Sequence, residues 1–186
     1  MQFKNIAFIA ILSILFFTGC GDSKVNEDGK TEAKIQTKFQ LNNIDGTTFT
    51  INKEGEKLIF DLPEKKIVLL NFFGTWCNPC IAEIPHLNNL INKYPKDLEI
   101  VAVSLDKKNE KQTTNEALES FKNKYNIQYK IVNSEENYKL ASALGEIKTI
   151  PTMFLIDKKG NIKQKYTGVI PEEMIETDIK KELEEK

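Results

Sequence analysis

Apolar and polar positions change period along this chain, and each change marks an element. In "KFQLNNIDGTTFTI" apolar residues alternate with polar ones on both sides of Asp45-Gly46, the pattern of two strands joined by a tight hairpin. "KIVLLNFF" is a continuous apolar run and predicts a strand buried on both faces. Asn78 to Tyr94 has helical spacing, and "LEIVAVSLD" returns to a buried strand. "NEALESFKNKY" predicts an amphipathic helix with Ala117, Leu118, Phe121 and Tyr125 on its apolar side. "QYKIV" reads as a short strand and "ENYKLASALGE" as a helix ended by Gly145. "PTMFLID", "KKGN" and "IKQKYTG" form a second hairpin, and "PEEMIETDIKKELEE" closes as a helix with Pro171 at its first turn and acids behind it.

Alternating strands and helices through the middle imply parallel strands joined by right-handed crossovers, with helices on both faces. The hairpins add antiparallel strands. The expected fold class is therefore α/β, a central mixed sheet flanked by helices, with an N-terminal β-hairpin.

Ahead of this pattern the chain is organised differently. Lys4 precedes the apolar run Ile6–Phe17, which ends in Thr18-Gly19-Cys20. The run is shorter than the ~20 residues a membrane-spanning helix needs, and it reads as an export signal. Its ending "FFTGC" resembles the bacterial lipoprotein signal, in which the cysteine becomes the lipidated first residue. Phe17 departs from the leucine usual three places before that cysteine, so an ordinary signal peptide or an uncleaved anchor remains the other reading. Residues 21–37, "GDSKVNEDGKTEAKIQT", are polar and without period, as in a flexible tether. The expected division is a signal over 1–19, a tether over 20–37 and a single domain over 38–186, long enough for one core.

Composition narrows the function classes. The formal net charge is −1, which offers no attraction to nucleic acid. There is no arginine, so bidentate guanidinium clamps on phosphate or carboxylate are absent. The ending "KKELEEK" is a solvated helix end.

The candidate chemistry sits in "NFFGTWCNPCIAEIP", which holds Cys77 and Cys80, two of the three cysteines in the chain. As a structural staple the pair would close a very small loop, where a crosslink contributes least. A structural zinc site takes four ligands, and with Cys20 assigned to the signal the domain offers only Cys77, Cys80 and His86. A redox reading has a direct physical basis. A strand ending at Phe73 and a helix starting near Asn78 put Cys77 at a helix N-terminus, where free N–H groups favour a thiolate. Cys80 lies one turn further in, within reach of Cys77, and Pro79 is tolerated because first-turn N–H groups have no helical partner. Cys77 would attack a substrate disulfide and Cys80 would resolve the mixed disulfide.

The stretch "WCNPC", with "TIPTMFLID" far downstream, resembles the thioredoxin superfamily. The nearest resemblance is to the membrane-tethered TlpA/ResA-like thiol-disulfide oxidoreductases, and it covers the chain from Phe39 to Ile179. The resemblance implies a cis peptide bond between Ile150 and Pro151, facing the CxxC. It also carries over Asn71, where thioredoxin itself has a buried aspartate, and the pattern CxxCxxExP, matched by Cys80, Glu83 and Pro85. Helical spacing supports a special place for Glu83 independently. Ile84, Leu87, Leu90, Ile91 and Tyr94 share one arc with Cys80 and Glu83, and an acid on a core-facing stripe points to a perturbed carboxyl. The alternative is that Pro85 kinks the helix and turns Glu83 out to water. Trp76, Ile150 and Pro151 are the expected substrate-binding surface, and His86 at the edge of the arc reads as a surface residue. Asn78 between the cysteines leaves the reduction potential open, and Lys148-Thr149 bears on the substrate groove.

The resemblance further implies a lipid-anchored reductant in the cell envelope, facing the periplasm or exterior. Electrons would arrive from a membrane thiol transporter of the CcdA/DsbD type. Clients would be exported protein disulfides such as the CxxCH haem-attachment site of apocytochrome c, or exported disulfides in general. The cysteine pair is its own redox centre, so neither cofactor nor metal is called for. A peroxiredoxin would place its cysteine after Pro-x-x-x-Thr-x-x, but Leu70 and Gly74 stand at those positions. A copper-delivery protein would use CxxxC and a distant histidine, whereas the only histidine here is the nearby His86.

Overall fold

The computed structural model describes residues 36–108 and 111–185. The expected signal and most of the tether, Cys20 included, lie outside these residues.

β1 (Lys38–Asn42) and β2 (Thr48–Glu54) pair antiparallel around Asp45-Gly46. Gly46 takes φ +86° in that turn, and Asp45 Oδ1 accepts the Thr47 N–H at 2.9 Å. A third strand, β3 (Lys57–Phe60), pairs with β2, so the N-terminal unit is a three-stranded sheet where two strands were expected. The short, mixed stretch "KLIF" carries too little periodicity to declare itself as a strand.

β4 (Ile67–Phe73) is buried along its whole length. It is the middle strand of a five-stranded sheet ordered β10-β9-β4-β5-β8. Here β5 is Leu98–Ser104, β8 Lys130–Val132, β9 Thr152–Ile156 and β10 Ile162–Thr167. β5 and β8 run parallel to β4, whereas β9 pairs antiparallel with β4 and β10 antiparallel with β9. A two-stranded ribbon of β6 (Lys107–Lys108) and β7 (Lys111–Gln112) follows β5 and had no counterpart in the sequence pattern.

Alternate residues of β4 feed two apolar layers, as strand geometry requires. Ile67, Leu69 and Phe73 face α1 (Asn78–Lys93), α2 (Asn115–Lys124) and α4 (Glu172–Glu184). Val68, Leu70 and Phe72 face the N-terminal sheet and α3 (Glu136–Ala143), through Phe39, Leu41, Ile51, Leu58 and Leu140. Isolated bridges, Asn43 to Val132 and Lys57 to Asn161, tie the small sheet to the main one near its two edges.

Two details differ from the sequence reading. Ala117 is exposed, because only Leu118 and Phe121 of α2 reach the core. Pro171 is the N-cap of α4, one position ahead of its first turn. As expected, Gly145 terminates α3: the helix runs to Ala143 with Leu144 as its C-cap, and Gly145 at φ +88° reverses the chain behind it.

Candidate redox site

The site forms where the fully buried β4 runs out. Phe73, its last residue, accepts the Leu105 N–H at 2.8 Å, and beyond it Gly74 accepts the Cys77 N–H at 3.1 Å in a tight turn. Gly74 is closely approached: a Cβ there would lie 3.0 Å from the Trp76 ring and 3.2 Å from Ile150 Cδ1, so those side chains would have to give by a few tenths of an ångström. Trp76 stands 68% exposed over this turn.

Cys77 is the N-cap of α1, with φ −86° and ψ 100°, and Pro79 occupies the first turn behind it. The Cys80 N–H donates to Cys77 Sγ at 3.2 Å, which places a free helix-terminal N–H on the sulfur. Cys77 and Cys80 are joined as a disulfide, with Cα atoms 5.2 Å apart, and both are buried. The Ile150–Pro151 bond is cis, and the Ile150 carbonyl lies 3.7 Å from Cys77 Sγ. In the disulfide that is a contact only; a Cys77 thiol would have a proton to donate there. Gly168 N–H bonds the Pro151 carbonyl at 2.9 Å, so the β10–α4 loop is fastened to the same spot.

Glu83 lies one turn beyond Cys80 and is 2% exposed. α1 runs through Pro85 without turning this acid to water. Oε1 accepts the Ile170 N–H at 3.2 Å, while Oε2 has no partner. Burial pushes its pKa up to about 7, against the downward pull of the Ile170 N–H and of His86. The same carboxyl, after burial itself, pushes the neighbouring Tyr129 hydroxyl upward. Asn71 is buried on the same face of β4 as Leu69 and Phe73, with Oδ1 unpartnered. His86 stays near the surface and meets Glu172 at 3.1 Å.

The structure therefore brings Trp76, Cys77, Cys80, Glu83, Ile150 and Pro151 into one region of the fold; Cys20 lies outside the described residues. Two sulfurs held this close can pass between dithiol and disulfide without moving the backbone far, and a carboxyl titrating near neutrality can hold or release the proton this requires. Two contributors escaped the sequence reading. Ile170 supplies only a backbone N–H, which no side-chain pattern reveals. Asp106, which binds Thr75 at 3.0 Å, was visible as the polar Ser-x-Asp ending of an otherwise apolar strand.

Comparison with known proteins bears on the family, the fold and the activity. The AhpC/TSA family profile matches residues 33–165. The thiol-disulfide oxidoreductase ResA of Geobacillus thermodenitrificans is 38% identical over 97% of this chain and 92% of its own length. The chain belongs to the thioredoxin-like AhpC/TSA family, among its ResA thiol-disulfide oxidoreductases. The ResA of Bacillus thuringiensis strain Al Hakam is 35% identical over 69% of this chain and 70% of the relative. Among solved structures, a putative thiol:disulfide interchange protein DsbE from Chlorobium tepidum superposes with a TM-score of 0.60 at 26% identity, covering 78% of this chain and 93% of that one. The protein is thus an oxidoreductase of thioredoxin-like fold, and the mixed sheet with flanking helices is the fold that the sequence pattern led us to expect.

Proposed function

We propose that this ResA-type protein is a reductant of exported disulfides, with Cys77 as the attacking thiol, Cys80 as the resolving thiol and Glu83 as the proton acceptor. Cys77 thiolate attacks one sulfur of a client disulfide; the other client sulfur leaves with the electron pair and takes up a proton. Cys80 gives its proton to Glu83 and attacks Cys77 Sγ, which releases the second client thiol and leaves the Cys77–Cys80 disulfide. Two electrons pass to the client, and a membrane thiol reductant of the CcdA/DsbD type returns the pair to the dithiol. Trp76, Ile150 and Pro151 form the surface on which the client lies. The apocytochrome c CxxCH site is the client class we favour, with general reduction of exported disulfides as the second reading. Lipidation at Cys20 would hold the enzyme at a membrane, facing the periplasm or exterior, with residues 20–37 as the tether of a domain over 38–186. Among the described residues no helix is long and apolar enough to cross a membrane. The peroxidase chemistry suggested by the family's name finds no support at Leu70 and Gly74.

The observation that carries this reading is the pairing of the helix-capping Cys77, whose sulfur accepts the Cys80 N–H at 3.2 Å, with a buried carboxyl, Glu83, one turn beyond Cys80. A trapping experiment tests it. Cys80→Ser leaves Cys77 able to attack but not to be released, so it accumulates mixed disulfides with clients, and Cys77→Ser does not. Equal trapping by both variants, or by neither, overturns the assigned roles. The identity of the trapped clients decides between cytochrome maturation and general reduction.

A further inference from the structure

The turn that delivers Cys77 is held by a carboxylate from another part of the chain. Thr75 N–H is shared between the two carboxylate oxygens of Asp106, at 3.0 Å each, and the Thr75 hydroxyl donates to Oδ1 at 3.1 Å. Ser104 Oγ donates to Oδ2 at 3.0 Å. Asp106 is 4% exposed, and its own backbone is fixed: its N–H reaches Ser104 Oγ at 3.3 Å and its carbonyl accepts the Thr113 N–H at 3.2 Å. Ser104 lies opposite Phe73 in the β4–β5 ladder, and its carbonyl accepts the Asn137 amide at 2.9 Å. The anchor is therefore continuous with the central sheet and with α3.

The turn has little else to hold it. The sheet ladder stops at Phe73, a single Cys77-to-Gly74 bond closes the turn, and Trp76 is 68% exposed. A buried carboxylate needs several donors to be tolerated, and three of the four bonds to this one come from Thr75. A shared N–H wants two acceptor oxygens, which a carboxylate has and an amide lacks.

We propose that Asp106 is a positioning residue for thiol-disulfide exchange. By pinning Thr75 it sets where Trp76 and Cys77 Sγ stand against the Cys80 N–H and the Ile150 carbonyl. This rests on the reading of Cys77 as the attacking thiol. Asp106 touches no reacting atom; it acts through the turn.

Trp76 is the only tryptophan in the chain, so fluorescence excited selectively at tryptophan, beyond the tyrosine absorption, reports this turn alone. Steady-state anisotropy, acrylamide quenching, melting temperature and the second-order rate of reducing a peptide disulfide are measured for the wild type, Asp106→Ala, Asp106→Asn and Thr75→Val. Asp106→Ala should lower the anisotropy, increase quenching and slow reduction by about tenfold or more, since small misplacements of a reacting group are costly. Asp106→Asn should fall between, because its single oxygen can still accept the Thr75 N–H, and Thr75→Val should show the smallest change. If Asp106→Ala melts at a lower temperature but keeps wild-type anisotropy and rate, the carboxylate merely supports the fold and the proposal fails. If Asn and Ala slow the reaction equally with anisotropy unchanged, its charge matters and its positioning does not, which also overturns it. Should Asp106→Ala not fold, the Asn and Val variants decide, and wild-type anisotropy and rate in both would refute the proposal. A wild-type protein that reduces no disulfide counts against the proposed function instead, while the fluorescence series still decides whether Asp106 holds the turn.

Discussion

Replacing Glu83 with glutamine tests the buried carboxyl through stability as well as activity. Burial raises its pKa from 4.5 to about 7. That is ~2.5 units, so at about 1.36 kcal/mol per unit the ionised form weakens the fold by about 3 kcal/mol. Below pH 4.5 the carboxyl is protonated in both the folded and the unfolded chain, and the group contributes no difference. Between pH 4.5 and about 7 the folded chain holds more protons than the unfolded one, so stability falls as pH rises, and above that window the full penalty persists. Glutamine has no such pH dependence. Its amide N–H groups would, however, take the place of Oε2, which has no partner, and an unsatisfied buried donor costs about 1–3 kcal/mol at every pH. Glu83→Gln is therefore expected to be less stable than wild type near pH 4 and equal to it or more stable near pH 8, a relative change of about 3 kcal/mol. Urea unfolding of the oxidised proteins at a series of pH values measures this. Alongside it, thiolate absorbance against pH and turnover of a peptide disulfide report the chemistry. The variant should reduce substrate more slowly near neutral pH and show an altered thiol titration, because the carboxyl and Cys80 titrate as a coupled pair. A stability difference that stays flat across the pH range would mean that the acid is solvated. Superimposable thiol titrations and equal rates would remove it from the mechanism.

Two further expectations follow from other parts of the chain. Metabolic labelling with a fatty acid should mark the wild-type protein and not Cys20→Ala; an unlabelled wild type would show that "FFTGC" is not a lipoprotein signal. Gly160→Ala should destabilise the domain by about 2 kcal/mol or more, since strained backbone and overpacking add: Gly160 has φ +84°, and a Cβ there would lie 2.8 Å from the Leu58 carbonyl oxygen. An unchanged urea midpoint for this variant would mean that the β9–β10 turn yields without cost.

Local chemistry made much of this protein legible in its sequence. A run of seven apolar or amide residues, short for a helix, reads as a strand with both faces covered, and β4 is that strand. Asp45-Gly46 declares a hairpin because few other pairs accept a left-handed turn. Two cysteines at a helix start are read as a pair because one helical turn brings them together, and the spacing of Glu83 on the apolar stripe is equally local. What a local pattern cannot carry is the partner that arrives from elsewhere. The stripe left open whether Pro85 would turn Glu83 outward. That was decided by the packing that buries the acid and by Ile170, whose N–H comes from 87 positions along the chain. Asp106 reaches Thr75 across 31 positions, through the parallel register of β4 and β5, and β3 exists as a strand because β2 offers it a free edge. Periodicity reports which side of an element is dry, since that depends only on the element's own geometry. The depth of desolvation and the identity of each hydrogen-bond partner depend on what packs against that side, and tertiary structure alone decides them.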